Sequence, residues 1–289
     1  MNWRWGLVAA LFVSSPAFAD IPLEFDGEFI QGGIVVGHTD PDAEVSFGNM
    51  ALPVSEEGYF VFGLHRDFPD QVHLTLMRGD EVMHRYYDVA TREYAIQYVD
   101  GVPQETVTPP REVLDRIRAE AAQKGAAREG VTERTEFAAD FIWPLTGRIS
   151  GTYGSQRVYN GLPGNPHLGI DVAQPEGTPI VSPAAGTVTL AENDMYFEGG
   201  LIFIDHGHGM IDVFMHLSEV LVEAGQNVEQ GEVIGLVGAG GRATGPHLDW
   251  RMYVMGARVD PSNLVGPMPV DVPEEEPESG EAETGVGDQ

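Results

Sequence analysis

Hydrophobic residues recur along this chain in short alternating runs, the two-residue period of a half-buried β-strand. Runs 29–36, 43–47, 59–64, 72–77 and 94–99 are separated by Gly, Pro and Asp at the spacing expected of a sandwich, and predict a small all-β domain over residues 20–103. Runs 179–190, 201–205, 210–216, 228–237 and 247–255 repeat the pattern and predict a second β domain over 137–268. Between them the period changes. Thr108-Pro109-Pro110 reads as a helix start, and 112–124 is rich in helix formers, with Val113, Leu114, Ile117 and Ala121 along one side. Residues 125–136 are polar, so 104–136 reads as a helical and flexible linker whose apolar stripe docks on a neighbouring domain. Its opposite face mixes acids and bases, unlike a membrane-binding helix. The fold class is mainly β, with an N-terminal β-sandwich-like domain.

Length and charge narrow the setting. A chain of 289 residues, 42% hydrophobic, can build two cores. Residues 1–19 read as a signal peptide, with Arg4, an apolar stretch over 6–13 and Ala17-Phe18-Ala19 before a cleavage point at Asp20. That stretch is short for a span of about 20 residues, which predicts an exported, periplasmic or secreted protein with no membrane span after cleavage; a retained anchor is the alternative. Forty-five acids against 16 bases leave a net charge of −29. Long-range attraction to phosphate is excluded, so no nucleic-acid partner is expected. Residues 269–289 read as an acidic, solvating, disordered tail. Cysteine is absent, so no disulfide staples the fold.

The candidate chemistry lies in Pro166-His167-Leu168-Gly169-Ile170-Asp171 and in His247-Leu248-Asp249. Zinc takes imidazole nitrogen and carboxylate oxygen, and a catalytic shell keeps three protein ligands with one open position. His167, Asp171 and Asp249 make three. Strand alternation places His247, Asp249 and Arg251 on one face and Leu248, Trp250 and Met252 on the other. His216, from a separate predicted strand, leaves His216 and His247 to move protons. Asp249 can instead pair with Arg251 on the same face.

Other candidates carry less. His38, His65, His73 and His84 are scattered over the first domain, which reads as a binding module, a spacer or a lid. His206 and His208 sit at a predicted hairpin turn, where they serve local structure or capture a stray metal. Ser218 lacks the strand-to-helix elbow of a serine nucleophile. The glycine-rich stretch 238–245 leads into a strand, without the helix N-terminus that pyrophosphate needs, and reads as a groove wall.

An ordered series of motifs over 141–265 resembles the M23 family of zinc metallopeptidases, the lysostaphin-like or LytM-type cell-wall endopeptidases. It includes Phe141-Ile142-Trp143-Pro144, Tyr153-Gly154, the His167 to Asp171 motif, Gly177-Thr178-Pro179, Asp205-His206-Gly207, His216-Leu217-Ser218 and Thr244-Gly245-Pro246-His247-Leu248. The resemblance implies an antiparallel β-sheet with a groove, Zn2+ as cofactor, a metal-bound water as nucleophile, and peptide cross-links of bacterial peptidoglycan as substrate. It implies substrate contact or a structural role for Arg157, Tyr159 and Asn160. One position departs: the family's last motif is H-x-H, and Asp249 stands where its third ligand is expected. A second carboxylate makes the metal a weaker Lewis acid and tilts selectivity toward Mn2+. The alternative is a metal-free, degenerate wall-binding or amidase-activating protein, with a cell-wall amidase or division protein as partner.

Overall fold

The computed structural model describes residues 20–99, 111–159 and 161–269. The proposed signal segment 1–19, the proposed helix start at 108–110, Asn160 and nearly all of the proposed acidic tail lie outside them. No helix among the described residues is long and apolar enough to cross a membrane.

The first part of the chain forms β1 (Leu23–Asp26), β2 (Ile34–Thr39), β3 (Glu44–Phe47), β4 (Met50–Leu52), β5 (Tyr59–Gly63), β6 (Gln71–Arg78) and β7 (Glu81–Asp88). They make two sheets, ordered β1-β2-β5 and β4-β3-β6-β7, around a core that includes Val35, Phe60, Phe62, Leu74 and Leu76. In β6, Val72, Leu74 and Leu76 alternate inward, as the period requires. The run 29–36 is a strand only from Ile34, because Ile30 makes a single bridge to Ala90. Strand β7 escaped the pattern: of its eight residues only Met83 is buried, so it carries almost no apolar alternation.

The remainder comprises β8 (Ile96–Val99), α1 (Leu114–Ala126), β9 (Arg148–Gly151), β10 (Gln156–Tyr159), β11 (Leu162–Pro163), β12 (Ile170–Ala173), β13 (Pro179–Val181), β14 (Gly186–Met195), β15 (Gly199–Gly207), β16 (Met210–Val220), β17 (Asn227–Val228), β18 (Val233–Val237), β19 (Leu248–Val254) and β20 (Ala257–Val259). Ten of these form one sheet along β17-β14-β15-β16-β19-β12-β9, with β18 joining β13 to β16 and β20 beside β19. Strand β15, an interior strand of this sheet, is buried at all nine positions. The predicted run 179–190 is two strands, β13 and β14, separated by a turn at 182–185. Strand β8 pairs in parallel with β10 and not with the first sheets.

The two parts share a core. Ile34 and Val61 join the cluster of Val254 and Val259, and Asp260 receives Arg92 at 2.8 Å while its own N–H donates to Gly32. Arg66 reaches across to the Gly154 carbonyl, and the Gly154 N–H in turn donates to the carbonyl of His167. The first part thus braces the loop that carries the predicted metal motif.

The linker docks differently from its predicted apolar stripe. Ala121 is exposed and Glu120 is the buried residue of α1. Glu120 accepts from Arg116 and from the Tyr196 N–H, Lys124 pairs with Glu198, and Arg128 lies over the Tyr253 ring. The hairpin beneath presents charge and backbone polar groups to the helix, so polar contacts hold it. Past α1, the predicted flexible stretch is tied down by Thr132 to Asp205, by Arg134 to Thr187, and by the His208 N–H to Thr132.

Behind β19 the core holds a polar network. His206 is fully buried, with Nδ1 on the Ala185 carbonyl and Nε2 on Asp212, whose other oxygen accepts the Trp250 indole N–H. His206 and His208 are therefore buried beside the turn, and the latter stacks on Phe137. Removing one partner of a buried pair leaves the rest unpaired, at a cost of about 3–5 kcal/mol. Asp212→Ala is expected to destabilise the fold by that order, read as a lowered urea midpoint with unchanged slope.

Candidate active site

Three side chains from two neighbouring strands and the loop before them converge. Strand β12 buries Ile170 and Val172, so alternation turns Asp171 to the opposite face. It pairs antiparallel with β19 in a register that sets Asp171 directly across from Asp249. On β19, Leu248, Trp250 and Met252 lie fully in the core, which leaves Asp249 and Arg251 on the face of Asp171. His167 closes the group, and ligand atoms of His167, Asp171 and Asp249 all lie within 4.8 Å of one another, the one such trio among the described residues.

The donor atoms fit a cation. The His167 Nε2 and Asp171 Oδ1 atoms are buried, face each other 3.1 Å apart, and make no hydrogen bond to any other group. Buried polar atoms without partners are rare, and an ion is a recognised explanation. Burial alone would raise the Asp171 carboxyl, but His167 first, then His247 and Arg251, hold it below its ordinary value. Asp249 is 3% exposed, and both its oxygens accept from Arg251, Oδ1 from Nε at 2.9 Å and Oδ2 from Nη2 at 2.7 Å. The two sequence readings of Asp249, as a ligand and as the partner of Arg251, thus occupy one geometry.

Two imidazoles flank this group. His216 and His247 have ring centroids 4.9 Å apart, and His247 Nε2 is 3.9 Å from Asp171 Oδ1. Each Nδ1 faces a backbone carbonyl, Gly240 for His216 at 2.9 Å and Gly245 for His247 at 2.8 Å. A carbonyl only accepts, so each Nδ1 carries the proton and each neutral ring keeps its lone pair on Nε2. Burial, assisted by His247, lowers the pKa of His216, against the pull of Asp249 and the Gly240 carbonyl. His216 reaches the site through an irregular backbone: its φ is +67°, and the strand register shifts just beyond it. A non-glycine residue held at positive φ is strained and has to be fixed by its surroundings. Here the His216 N–H donates to the Glu198 carbonyl.

The glycine-rich stretch 238–245 supplies those carbonyls and seats against the β14–β15 hairpin. A Cβ on Gly199 would stand 2.7 Å from Gly240 Cα, so the approach requires glycine. Ser218 donates to the Val237 carbonyl and has no catalytic neighbour. Arg157 contacts Gln97. Two participants were not recognised from sequence. A Cβ on Gly151 would lie 2.2 Å from Asp171 Oδ2, and one on Gly169 would lie 2.6 Å from Asp249 Oδ1 and 2.5 Å from Arg251 Cγ. Gly169 sits inside the motif, but nothing near Gly151 in sequence marks it, because its role arises from pairing with Asp171 across strands.

Comparisons with known proteins bear on the family. The model of peptidase family M23 matches residues 165–261. A crystal structure from Pseudomonas aeruginosa assigned to peptidase M23 is 31% identical, with a TM-score of 0.64 over 82% of this chain and 95% of that one. Peptidoglycan DD-endopeptidase ShyA of Vibrio cholerae is 40% identical over 111 residues, 38% of this chain and 26% of that protein. Cell division protein DipM of Caulobacter vibrioides is 33% identical over 127 residues, 44% of this chain and 20% of that protein. The chain spans about a quarter of the length of the first of these curated relatives and a fifth of the second.

Gly151→Ala is expected to turn the Asp171 carboxylate out of the cluster. Zinc affinity, measured by competition with a chromophoric chelator, should fall at least about tenfold, the effect of losing more than 1.4 kcal/mol, while the circular dichroism spectrum stays that of the parent.

Proposed function

The chain belongs to peptidase family M23, and on that footing we propose that it is an exported, metal-dependent endopeptidase that hydrolyses peptide cross-links of bacterial peptidoglycan. The observation that carries the reading is the pair of orphaned, facing atoms on His167 and Asp171, set beside Asp249 and two imidazoles with free Nε2 atoms. His167, Asp171 and Asp249 would hold the cation, zinc by the donor types or manganese by the two carboxylates. The cation would supply Lewis acidity to a water molecule and to the scissile carbonyl.

The protein's own groups do the rest. His216, kept neutral by burial, accepts a proton at Nε2 from the attacking water. His247 holds Nε2 3.9 Å from Asp171 Oδ1, where in its protonated form it donates to the developing oxyanion or the leaving amine. The Gly240 carbonyl keeps His216 in the tautomer that leaves Nε2 free to accept, and the Gly245 carbonyl holds the His247 ring through Nδ1. The leader-like residue pattern at 1–19 supports a periplasmic or secreted location, and the name of the ShyA relative supports the substrate class.

One observation favours a second reading, a non-hydrolytic wall-binding or amidase-activating protein: both oxygens of Asp249 already have a partner in Arg251. Digestion of purified peptidoglycan decides between them. The wild type should lower the cross-linked fraction, read after a muramidase has cut the glycan strands, and His216→Ala should do so about a hundredfold to ten-thousandfold more slowly, the range for losing a general base. An inert, metal-free wild type supports the second reading.

The lowered pKa of His216 also sets a pH dependence. A base whose conjugate acid is weakened stays unprotonated to lower pH, so the acidic limb of kcat/KM should fall below the ordinary histidine value of 6.5. An acidic limb above it would remove His216 from the proton-accepting role.

A further inference from the structure

Arg251 has no part in the steps above, yet it is built into the centre. Its guanidinium grips both oxygens of Asp249 in a two-pronged pair, and the pair is packed so tightly against Gly169 that a Cβ there would overlap both side chains. Asp249 is nearly buried, and Asp171 stands directly across the strand pair from it. Two carboxylates in this position would cancel the charge of a dication and blunt its pull on a bound water or carbonyl. A carboxylate has about four lone-pair positions, so a fork engaging one on each oxygen leaves others facing the cluster.

We infer that Arg251 is a charge-compensating positioning residue, which lets Asp249 serve the cation as a ligand of no net charge. The inference rests on the metal-centre reading above. One imidazole, two carboxylates and one guanidinium carry a single net negative charge, the same as two imidazoles and one carboxylate, a shell used by catalytic zinc sites. Asp249 and Arg251 together therefore replace a neutral imidazole electrostatically, while the fork fixes the direction from which the carboxylate meets the ion. Arginine suits this role because its charge is permanent and its donors are planar.

The consequence is a coupling between positions 249 and 251 that a bystander arginine would not show. Zinc and manganese affinities of the purified protein, measured by competition with a chromophoric chelator, would be compared for wild type, Arg251→Gln, Arg251→Lys, Asp249→His and the double variant Asp249→His/Arg251→Gln. Removing the guanidinium takes a positive charge away from a dication, so Arg251→Gln should bind metal about tenfold or more tightly and move preference toward manganese. Arg251→Lys, which keeps the charge, should stay within about threefold of wild type. Asp249→His leaves Arg251 uncompensated beside the ion and should bind about tenfold or more weakly, and the double variant should recover. Thermal melting of each variant confirms that the fold is retained.

Compensation is overturned if Arg251→Gln matches wild type and the effect of Asp249→His is the same with Arg or Gln at 251. It is also overturned if wild type takes no metal and Arg251→Gln does, because Arg251 is then a plug in a centre that still exists. If neither wild type nor any variant binds metal, the centre itself falls, and this inference with it.

Discussion

Two carboxylates face each other across a pair of antiparallel strands, and the rest of the site answers that constraint. Asp171 on β12 and Asp249 on β19 are register partners, and like charges directly opposite destabilise a sheet. The protein surrounds them with positive or proton-bearing groups. Arg251 takes Asp249, while His167 and His247 lie beside Asp171. At the centre of the group His167 Nε2 and Asp171 Oδ1 face each other and bond to no other group. A divalent cation held there would add positive charge beside both acids, and since the three side chains meet only in the folded chain its binding would be coupled to folding.

The register is the device that sets the two acids face to face. In one row across the sheet stand Gly151, Asp171, Asp249 and Met215, from β9, β12, β19 and β16. Each member has a separate reason to be there: Gly151 clears space for a carboxylate oxygen, the acids bring charge, and Met215 fills the floor beside Leu201 and Phe203. A slip of one residue would turn Asp249 into the core and Trp250 out of it. Burial of Leu248, Trp250 and Met252 makes that slip costly, so hydrophobic packing behind the strand specifies the chemistry in front of it.

Much of this was legible in the sequence because it is local. The alternation over 247–252 placed Asp249 and Arg251 on one face, and the four-residue spacing of His167 and Asp171 marked a second cluster. The central strands could be read from their apolar runs. What was not legible depends on contacts between distant segments or on backbone shape. Strand β7 lacks apolar alternation, β8 finds its partner in the second half of the chain, and α1 is held by charge and not by its apolar stripe. The bend that brings His216 to the site is a positive φ that no pattern of residue types announces. Gly151 has no local signature, since its meaning comes from the strand beside it.

The network behind β19 explains how so much charge is held without loosening the sheet. Trp250, between Asp249 and Arg251 in sequence, donates its indole N–H to Asp212 in the core, and Asp212 is fixed by His206, itself anchored on the Ala185 carbonyl. A buried polar network adds little net stability when complete, but it penalises alternatives in which any member is displaced. Rotation of β19 about its axis to relieve repulsion between Asp171 and Asp249 would pull the indole from its acceptor. The strand is therefore pinned from behind in the orientation that keeps its acid facing the other and its guanidinium beside that acid.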